Sequence, residues 1–456
     1  MSLSSLLSIA RTALSASQLE LDVTGHNIAN ATTSGYTRQS ARLVASTPLS
    51  TPIGDIGTGV TVEGIDRSRS SFLDNTYRSE NSLLGEYASE NDTLSGIQSL
   101  LNEPSAQGLA ATLDAFWASW SDLANDPTGS ANRVVVRQRG QALAAQLNSL
   151  ADQVDQQRAD VLAQLNQDVA SVNSIAARVA DLNRQIAASE SGGKTAPDLE
   201  DARDLALDKL SAIAPVRVIP REQGSVAVYV GDTMVLDGAT SRTLSVQANP
   251  DGSIGIWTQD SPRAIDLQSG RLKAETDLVS TTLPGLTRQL DAVAQALVTS
   301  VNAVHQSGYT ADGQTNVPFF DPSRVTAATI TLSTQVAQSA NAVAASATGA
   351  PGDATLAQRI ADLSDAPVAS LGGATVGAAY DDLVTSLGTT VDDANNRMTA
   401  QQTLVSQVQN QRSSVSGVSV DEELVNLITF QQSYVAATRV VTAANQMMQY
   451  LLQAVQ

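Results

Sequence analysis

The 456-residue sequence contains no cysteine and only two histidines, His26 and His305. The missing cysteine excludes disulfide scaffolds, thiolate metal sites and thiol catalysis. A zinc site or a Ser-His-Asp triad would have to be built around one histidine, and neither has an acidic or nucleophilic partner at a suggestive spacing. We therefore expect hydrogen-bonded structural roles for both histidines, and we expect no catalytic site, no metal site and no cofactor.

Aromatic and basic residues are also scarce. Aromatic side chains make up 4% of the chain, which is low for several compact globular cores. Long helices that pack through narrow Ala, Leu and Val seams need fewer of them. Acidic residues outnumber basic ones by 46 to 27, and the net charge is −19. A chain this acidic, with no basic stripe, argues against nucleic acid or an anionic membrane surface as a partner.

Long apolar runs are absent as well. No run of about 18 apolar residues occurs, so the sequence predicts no membrane span. Residues 1–4 have no basic region, and no apolar core of the kind found in secretory signal peptides follows them. Taken alone, these two absences predict a cytoplasmic protein.

Both ends of the chain carry heptad-like patterns. From Leu3 to Ile28, apolar and small residues recur at alternating 4,3 spacing, which predicts an amphipathic helix. From Ser419 onward, nine apolar residues follow a stricter 3,4 spacing. They are Leu427, Phe430, Tyr434, Ala437, Val441, Ala444, Met448, Leu451 and Val455. A narrow helix pair buries little surface by itself, so we expect the two terminal helices to pair and to pack on neighbouring subunits.

The middle of the chain changes character once. Residues 131–188 hold an apolar 3,4 register over a length typical of a coiled coil. Residues 215–265 then follow the alternating pattern of β-strands, with turn residues at Gly231-Asp232 and at 249–252. The predicted fold class is mainly α, in which both chain ends form long coiled-coil-like helices and a small antiparallel β domain is inserted mid-chain.

These patterns divide the chain into three predicted domains. Residues 1–66 and 413–456 form a terminal-helix assembly domain with an adjoining extended segment. Residues 67–213 and 270–412 form a helical rod, and residues 214–269 form the small β domain. The rod then separates the paired chain ends from the β domain.

Three local motifs have structural explanations. Ser191–Thr195 resembles the end of a phosphate-binding loop, but Ala188 occupies the position of the first glycine, so we predict a helix end and a turn. Tyr309–Gly313 resembles a calcium loop but lacks the alternating acids, which predicts an ordinary turn. Ser419 lies three residues before Glu422, which predicts a capping box at the start of the last helix.

One polar segment carries a resemblance. Ala29-Asn30-x-x-Thr33-x-Gly35-Tyr36 follows the first helix and resembles the signature of bacterial flagellar rod, hook and hook-associated proteins. The start of the last helix, residues 416–423, is similar to that of the hook-associated protein 1 family. Further matches to this family lie at residues 59–67, 126–133, 180–186, 301–308 and 319–320. The resemblance therefore runs along almost the whole chain.

The resemblance implies a structural axial protein, not an enzyme, that forms the junction between hook and filament. It implies self-association in a ring, with hook protein and hook-associated protein 3 as neighbours. It also implies an export chaperone on the C-terminal helix and export through the flagellar type III apparatus without a cleavable signal. The implied location is therefore extracellular, in the flagellum, which replaces the cytoplasmic location predicted above.

The candidate assembly residues fall into two groups. The loop that leaves the first helix would be shaped by Ala29, Asn30, Thr33, Gly35 and Tyr36. The seam of the last helix would be carried by Leu427, Phe430, Tyr434, Val441, Met448 and Leu451. Both groups lie in the predicted terminal-helix domain.

Three alternatives remain open: another axial protein of hook or filament type, a secreted hydrolase, and a cytoplasmic coiled-coil scaffold. The Asp-Glu-Glu start of the last helix argues against the first, and no carboxylate pair in a recognisable catalytic context supports the second. One departure from the family is visible. After Phe319-Phe320 many members carry an additional outer β domain, whereas here a helical pattern returns at about Leu356.

Overall fold

The computed structural model describes residues 3–51, 54–259 and 261–454. Within these residues the chain is mainly α-helical, as predicted, with long helices at both ends. The helices are α1 (Leu3–Asn30), α2 (Ser71–Leu101), α3 (Leu109–Asn125), α4 (Ser130–Glu190), α5 (Pro197–Ile213), α6 (Arg271–Asp277), α7 (Leu283–His305), α8 (Thr334–Gln338), α9 (Thr355–Ala361), α10 (Val376–Ser416) and α11 (Val420–Ala454). The strands are β1 (Gln39–Ala45), β2 (Leu49–Thr51), β3 (Gly54–Ile56), β4 (Val60–Arg67), β5 (Val216–Pro220), β6 (Val226–Val230), β7 (Thr233–Asp237), β8 (Thr240–Ser241), β9 (Leu244–Ala248) and β10 (Ile254–Thr258).

The two ends of the chain form an antiparallel helix pair. α1 packs along α11, and Asn27 near the end of α1 is hydrogen-bonded to Glu423 in the first turn of α11. Small side chains dominate the buried positions of the pair, among them Ala10 and Ser17 of α1 and Ala437 of α11. Small side chains bury little apolar area, so this pair depends on further contacts for its stability.

One such contact comes from the arm, by which we mean the described residues of 39–67. β1 pairs with β4 in an antiparallel ladder, and β2 pairs with β3 beyond it. Gly59 has a φ of +115°, and a Cβ at this position would overlap Thr12 Oγ1 of α1. The backbone therefore crosses α1 closely at a point where glycine is required. Because a two-stranded ladder is marginal in isolation, the arm depends on its contact with α1.

The rod is assembled from long helices, with α2 packed along α10 and α3 against α4. One part of its core is an aromatic cluster. The ring centroids of Phe116 and Phe319 lie 5.7 Å apart, and those of Trp120 and Phe319 lie 5.3 Å apart. Five aromatic residues thus share one core, and most of the other residues in that core are aliphatic.

His305 is fully buried beside this aromatic cluster. Its Nε2 accepts a hydrogen bond from the backbone N–H of Ala344 at 2.9 Å, and its Nδ1 lies 2.7 Å from the carbonyl oxygen of Val317. Nδ1 therefore carries the proton of the neutral ring. Burial lowers the pKa of His305 to about 4, so the histidine has a hydrogen-bonded structural role, as expected.

The β-strands lie against the second half of α4. β5 to β8 form a four-stranded antiparallel sheet in sequence order, and β9 and β10 form a separate hairpin. Val228 and Leu236 of the sheet share a core with Leu165 and Val172 of α4. Residues from the first half of α4, such as Leu143, belong to the core of the rod instead. This 61-residue helix therefore connects the two cores.

Residues 271–305 are helical throughout, but their hydrogen-bond pattern changes within the segment. The segment is divided into α6, a π-helical turn (Leu278–Thr282) and α7. Pro284 has no N–H to donate to the carbonyl of Ser280. The N–H of Leu283 bonds instead to the carbonyl of Leu278, one residue further back than in an α-helix.

Candidate assembly site

Asn27 is the centre of the site. Its Oδ1 accepts hydrogen bonds from the Tyr36 hydroxyl at 2.7 Å and from the backbone N–H of Gln39 at 3.0 Å. Its Nδ2 donates to the carbonyl of Gln39 at 2.9 Å and to Glu423 Oε2 at 3.0 Å. Asn27 is 1% exposed and Glu423 is 2% exposed. One buried amide therefore connects α1, the arm and α11.

The predicted loop residues lie around this amide. Asn30 Nδ2 donates to the carbonyl of His26 at 3.0 Å, and Thr33 Oγ1 donates to Asn30 Oδ1 at 3.2 Å. Ala29 and Thr33 are exposed. Gly35 has a φ of +81°, and a Cβ there would lie 3.1 Å from Leu205 Cβ of α5. The loop is thus held by its own side chains and pressed against α5 at the glycine.

Tyr36 adds an aromatic ring to the loop. Its ring meets the His26 ring edge-on at a centroid distance of 5.4 Å, and its hydroxyl lies 3.2 Å from His26 Nδ1. Burial raises the pKa of Tyr36, and the nearby carboxylates of Asp198, Asp201 and Glu423 raise it further. The hydroxyl therefore stays protonated and available as the donor to Asn27.

The acidic start of α11 does more than cap the helix. Ser419 Oγ accepts from the backbone N–H of Glu422 at 3.4 Å, which is the hydroxyl half of the predicted capping box. The Glu422 carboxylate does not complete the box, because it pairs with Arg38 of the loop at 3.2 Å. The backbone N–H of Arg38 in turn donates to the carbonyl of Ser416 at 2.9 Å. Glu422 thus binds α11 to the segment that leads into the arm, and Glu423 binds α11 to α1.

An arginine–aspartate cluster lies directly behind the loop. It consists of Arg67, Arg69, Arg78 and Arg412 with Asp74, Asp201, Asp204 and Asp208. These residues come from the arm and the segment after it, from α2, from α5 and from α10. Thr37 joins the cluster, since its backbone N–H and its hydroxyl both donate to Asp201. The cluster therefore connects the terminal helices to the rod.

Asp204 has the most strongly perturbed carboxyl of the cluster. Burial alone would raise its pKa, but the guanidinium groups of Arg69, Arg78, Arg67 and Arg203 outweigh burial and lower the pKa to about 2. The sequence carries a signal for this cluster, but apolar periodicity does not show it. Asp201, Asp204 and Asp208 share one face of α5 at 3,4 spacing, where like charges are unfavourable without cationic partners.

The predicted seam of α11 is only partly covered by α1. Leu427, Phe430 and Val441 are half-buried, whereas Tyr434 is 37%, Met448 40% and Leu451 54% exposed. At equal rise per residue, Leu3 of α1 lies level with roughly residue 447 of α11. The last turns of α11 therefore extend past the described part of α1. Val455 lies outside the described residues.

A second apolar stripe on α11 was not predicted. Leu424, Val425, Ile428 and Val435 lie on the side opposite the seam and are 47–63% exposed. We call these four residues the outer face. Leu424, Ile428 and Val435 recur at helical spacing, so the sequence contained the signal, but the stricter 3,4 seam obscured it. An exposed stripe of this kind on a soluble surface is typical of an interaction site.

The motifs assigned to structural roles are turns. Gly192 and Gly193 have φ values of +143° and +76°, and Thr195 Oγ1 donates to the carbonyl of Ile65. Gly313 has a φ of +75° and closes the Tyr309–Gly313 turn. Among the described residues, no group of three or more histidine and acidic side chains could hold a metal ion. In the same part of the chain, no helix is both long and apolar enough to span a membrane.

Several known protein families and proteins are similar to the chain. A family model described as the flagellar hook-associated protein FlgK helical domain matches residues 94–320. Two basal body rod models, one of a FlgEFG C-terminal region and one of a rod protein, match residues 409–454 and 7–37. Flagellar hook-associated protein 1 of Bacillus subtilis is 31% identical to the chain and covers 97% of it, with 96% of the relative aligned. The chain belongs to the hook-associated protein 1 family.

Two further relatives are less similar in sequence to this chain. The Salmonella typhimurium protein is 24% identical, with 99% of this chain and 100% of the relative covered. Their alignment runs over 552 positions, more than the 456 residues of this chain, so that relative contains segments that this chain lacks. The flagellar hook junction protein FlgK of Burkholderia pseudomallei has the same fold, with a TM-score of 0.66, 17% identity, and 75% of this chain and all of that one covered. The protein is thus a structural component of the bacterial flagellum.

Proposed function

We propose that this protein forms the junction between hook and filament and assembles through its terminal helices. The observation that carries the proposal is the outer face of α11. The other side of α11 packs on α1, but Leu424, Val425 and Ile428 remain 47–63% exposed. Burying such a stripe against a neighbouring subunit is favourable, because each Å² of apolar surface removed from water contributes about 25 cal/mol of free energy. The solved relative from Burkholderia pseudomallei is named a flagellar hook junction protein.

The proposed division of labour follows the three predicted domains. Residues 1–66 and 413–456 would assemble, residues 67–213 and 270–412 would form the rod, and residues 214–269 would form the small β domain. The arginine–aspartate cluster would join the first two, because Thr37 of the first donates to Asp201 of the cluster. It would fix the angle of the terminal helices, so that every subunit presents its outer face in the same orientation.

The predicted site residues have distinct proposed roles. Asn30, Gly35 and Tyr36 would shape the loop from within, since each contacts or crowds a neighbouring element. Ala29 and Thr33 are exposed and would contact an adjacent subunit. Leu427, Phe430 and Val441 would hold α11 on α1, whereas Tyr434, Met448 and Leu451 would meet a neighbour.

The proposed partners follow from the family. The subunits would associate in a ring, with hook protein below and hook-associated protein 3 above. An export chaperone would cover α11 beforehand, because an uncovered apolar stripe promotes aggregation. Export would use the flagellar type III apparatus without a cleavable signal and would place the protein outside the cell.

A substitution on the outer face tests the proposal. Val425→Asp and Ile428→Asp should leave the helix content and melting temperature of the purified protein unchanged, because both side chains are more than half exposed. Immuno-electron microscopy should find neither variant at the hook tip. Val135→Asp on α4, at a site that is 39% exposed, is the matched control and should be incorporated normally.

Deletion of residues 419–456 is the coarser version of this test. The middle of the chain should remain folded, while assembly and chaperone binding are lost. Normal incorporation of the Asp variants or of the truncated chain would contradict the proposal.

A further inference from the structure

Two carboxyl groups are buried together between α4 and α6. Asp168 of α4 is 3% exposed and Glu275 of α6 is 1% exposed. Arg271 ion-pairs with Asp168, and its Nη2 lies 3.0 Å from Asp168 Oδ1. Glu275 lies one helical turn after Arg271, on the same face of α6, and its Oε2 finds no donor among the described residues. Two adjacent buried carboxylates cannot both be ionised at low cost, so this pair requires a proton.

The other charged groups around α6 face elsewhere. Lys273 and Asp277 pair with each other on the opposite side of α6. Glu86 of α2 interacts with Lys273 and Asp277, and also with Glu90 and Arg397. The π-helical turn that follows α6 contains no charged residue.

α5, which also contacts α6, directs its charges away from the pair. Asp204 and Asp208 of α5 belong to the arginine–aspartate cluster, and Lys209 is exposed. From α4, Asp168 itself is the group that faces Glu275. Arg271 is thus the cation that acts on Glu275 within the described residues, and it already neutralises Asp168.

This pair lies next to the root of the β domain. The chain enters the domain after Ala214 and leaves it at Gly270, where a Cβ would come within 2.7 Å of Ala214 Cα. Gly270 N donates to the carbonyl of Ser82 of α2, and the hydroxyls of Ser82 and Ser269 lie 2.8 Å apart. Glu275 follows five residues later, in the first helix after the domain.

We propose that a proton shared between Asp168 and Glu275 fastens the root of the β domain to α4, and that alkaline pH releases it. The proton turns a repulsion between two carboxylates into a hydrogen bond across the α4–α6 contact. Burial raises the pKa of Glu275 to about 9, with Asp168 adding to the effect. The proton-dependent stabilisation is therefore complete below the ordinary pKa of 4.5, weakens above it and is lost as the pH rises through about 9.

The test compares the full-length protein with Glu275→Gln, which keeps a neutral donor at the same position. Asp277→Asn removes one negative charge from the exposed side of the same helix and is the matched control. Hydrogen exchange of residues 214–280, measured by mass spectrometry from pH 7 to 9.5, gives the opening equilibrium. Comparing the proteins at each pH cancels the intrinsic pH dependence of exchange.

Protection of the unsubstituted protein should fall relative to Glu275→Gln by up to about tenfold per pH unit, the limit for one linked proton. Asp277→Asn should follow the unsubstituted protein. Asp168→Asn, which supplies a donor from the opposite side, should also flatten the pH dependence and provides a second test if Glu275→Gln folds poorly. Parallel curves for the unsubstituted protein and the folded variants would overturn the proposal.

Discussion

Replacing Asp204 by asparagine tests whether the arginine–aspartate cluster couples the terminal helices to the rod. The Asp204 carboxylate lies 2.9 Å from Arg69, 3.0 Å from Arg78 and 3.0 Å from Arg67. Its pKa falls from 3.8 to about 2, which corresponds to about 2 kcal/mol in favour of the ionised folded state at about 1.4 kcal/mol per pKa unit. Loss of one partner from a buried ion pair costs about 3–5 kcal/mol. We therefore expect Asp204→Asn to lower the free energy of unfolding by about 2–5 kcal/mol at pH 7.

Urea titrations followed by circular dichroism from pH 2 to 7 provide the assay. Because the folded-state pKa is depressed, the contribution of Asp204 is complete above its ordinary pKa of 3.8 and is lost as the pH falls through about 2. Asp204→Asn should lack this part of the pH dependence. Asp181→Asn removes a carboxylate from an exposed pair with Arg184 and should behave like the unsubstituted protein. If Asp204→Asn and Asp181→Asn have the same free energy of unfolding at every pH, the cluster does not couple the terminal helices to the rod.

Two further substitutions test the loop and the core. Gly35→Ala should lower the free energy of unfolding by about 1–2 kcal/mol, because the φ of Gly35 is +81°. Gly25→Ala, at an open helix position, is the control and should raise the free energy of unfolding by about 1 kcal/mol. Urea titration measures both changes. Because folding lowers the pKa of His305 from 6.5 to about 4, the free energy of unfolding should fall by about 3 kcal/mol as the pH drops from 6.5 to 4. His305→Gln should remove this pH dependence. Thermal melting across that range checks it, and an unchanged pH dependence would mean that His305 does not titrate as described.

Periodicity predicted the long elements because they depend on local patterns. The 3,4 registers of α4 and α11 persist for many residues, so each helix has one orientation that buries its apolar side. Periodicity does not show the π-helical turn within residues 271–305, because the turn depends on one missing N–H at Pro284. The outer face of α11 is not apparent from the sequence, because the stricter 3,4 seam on the same helix obscures its spacing.

The amino-acid sequence alone determined the fold class, the helical chain ends, the β insert and the family, since each follows from periodicity or from a motif of consecutive residues. The tertiary structure decided which polar groups meet. Asn27 and Glu423 are separated by 396 positions, and Asp208 and Arg412 by 204. No local spacing indicates such pairs. Their burial requires partners, and only the folded chain shows which residues those partners are.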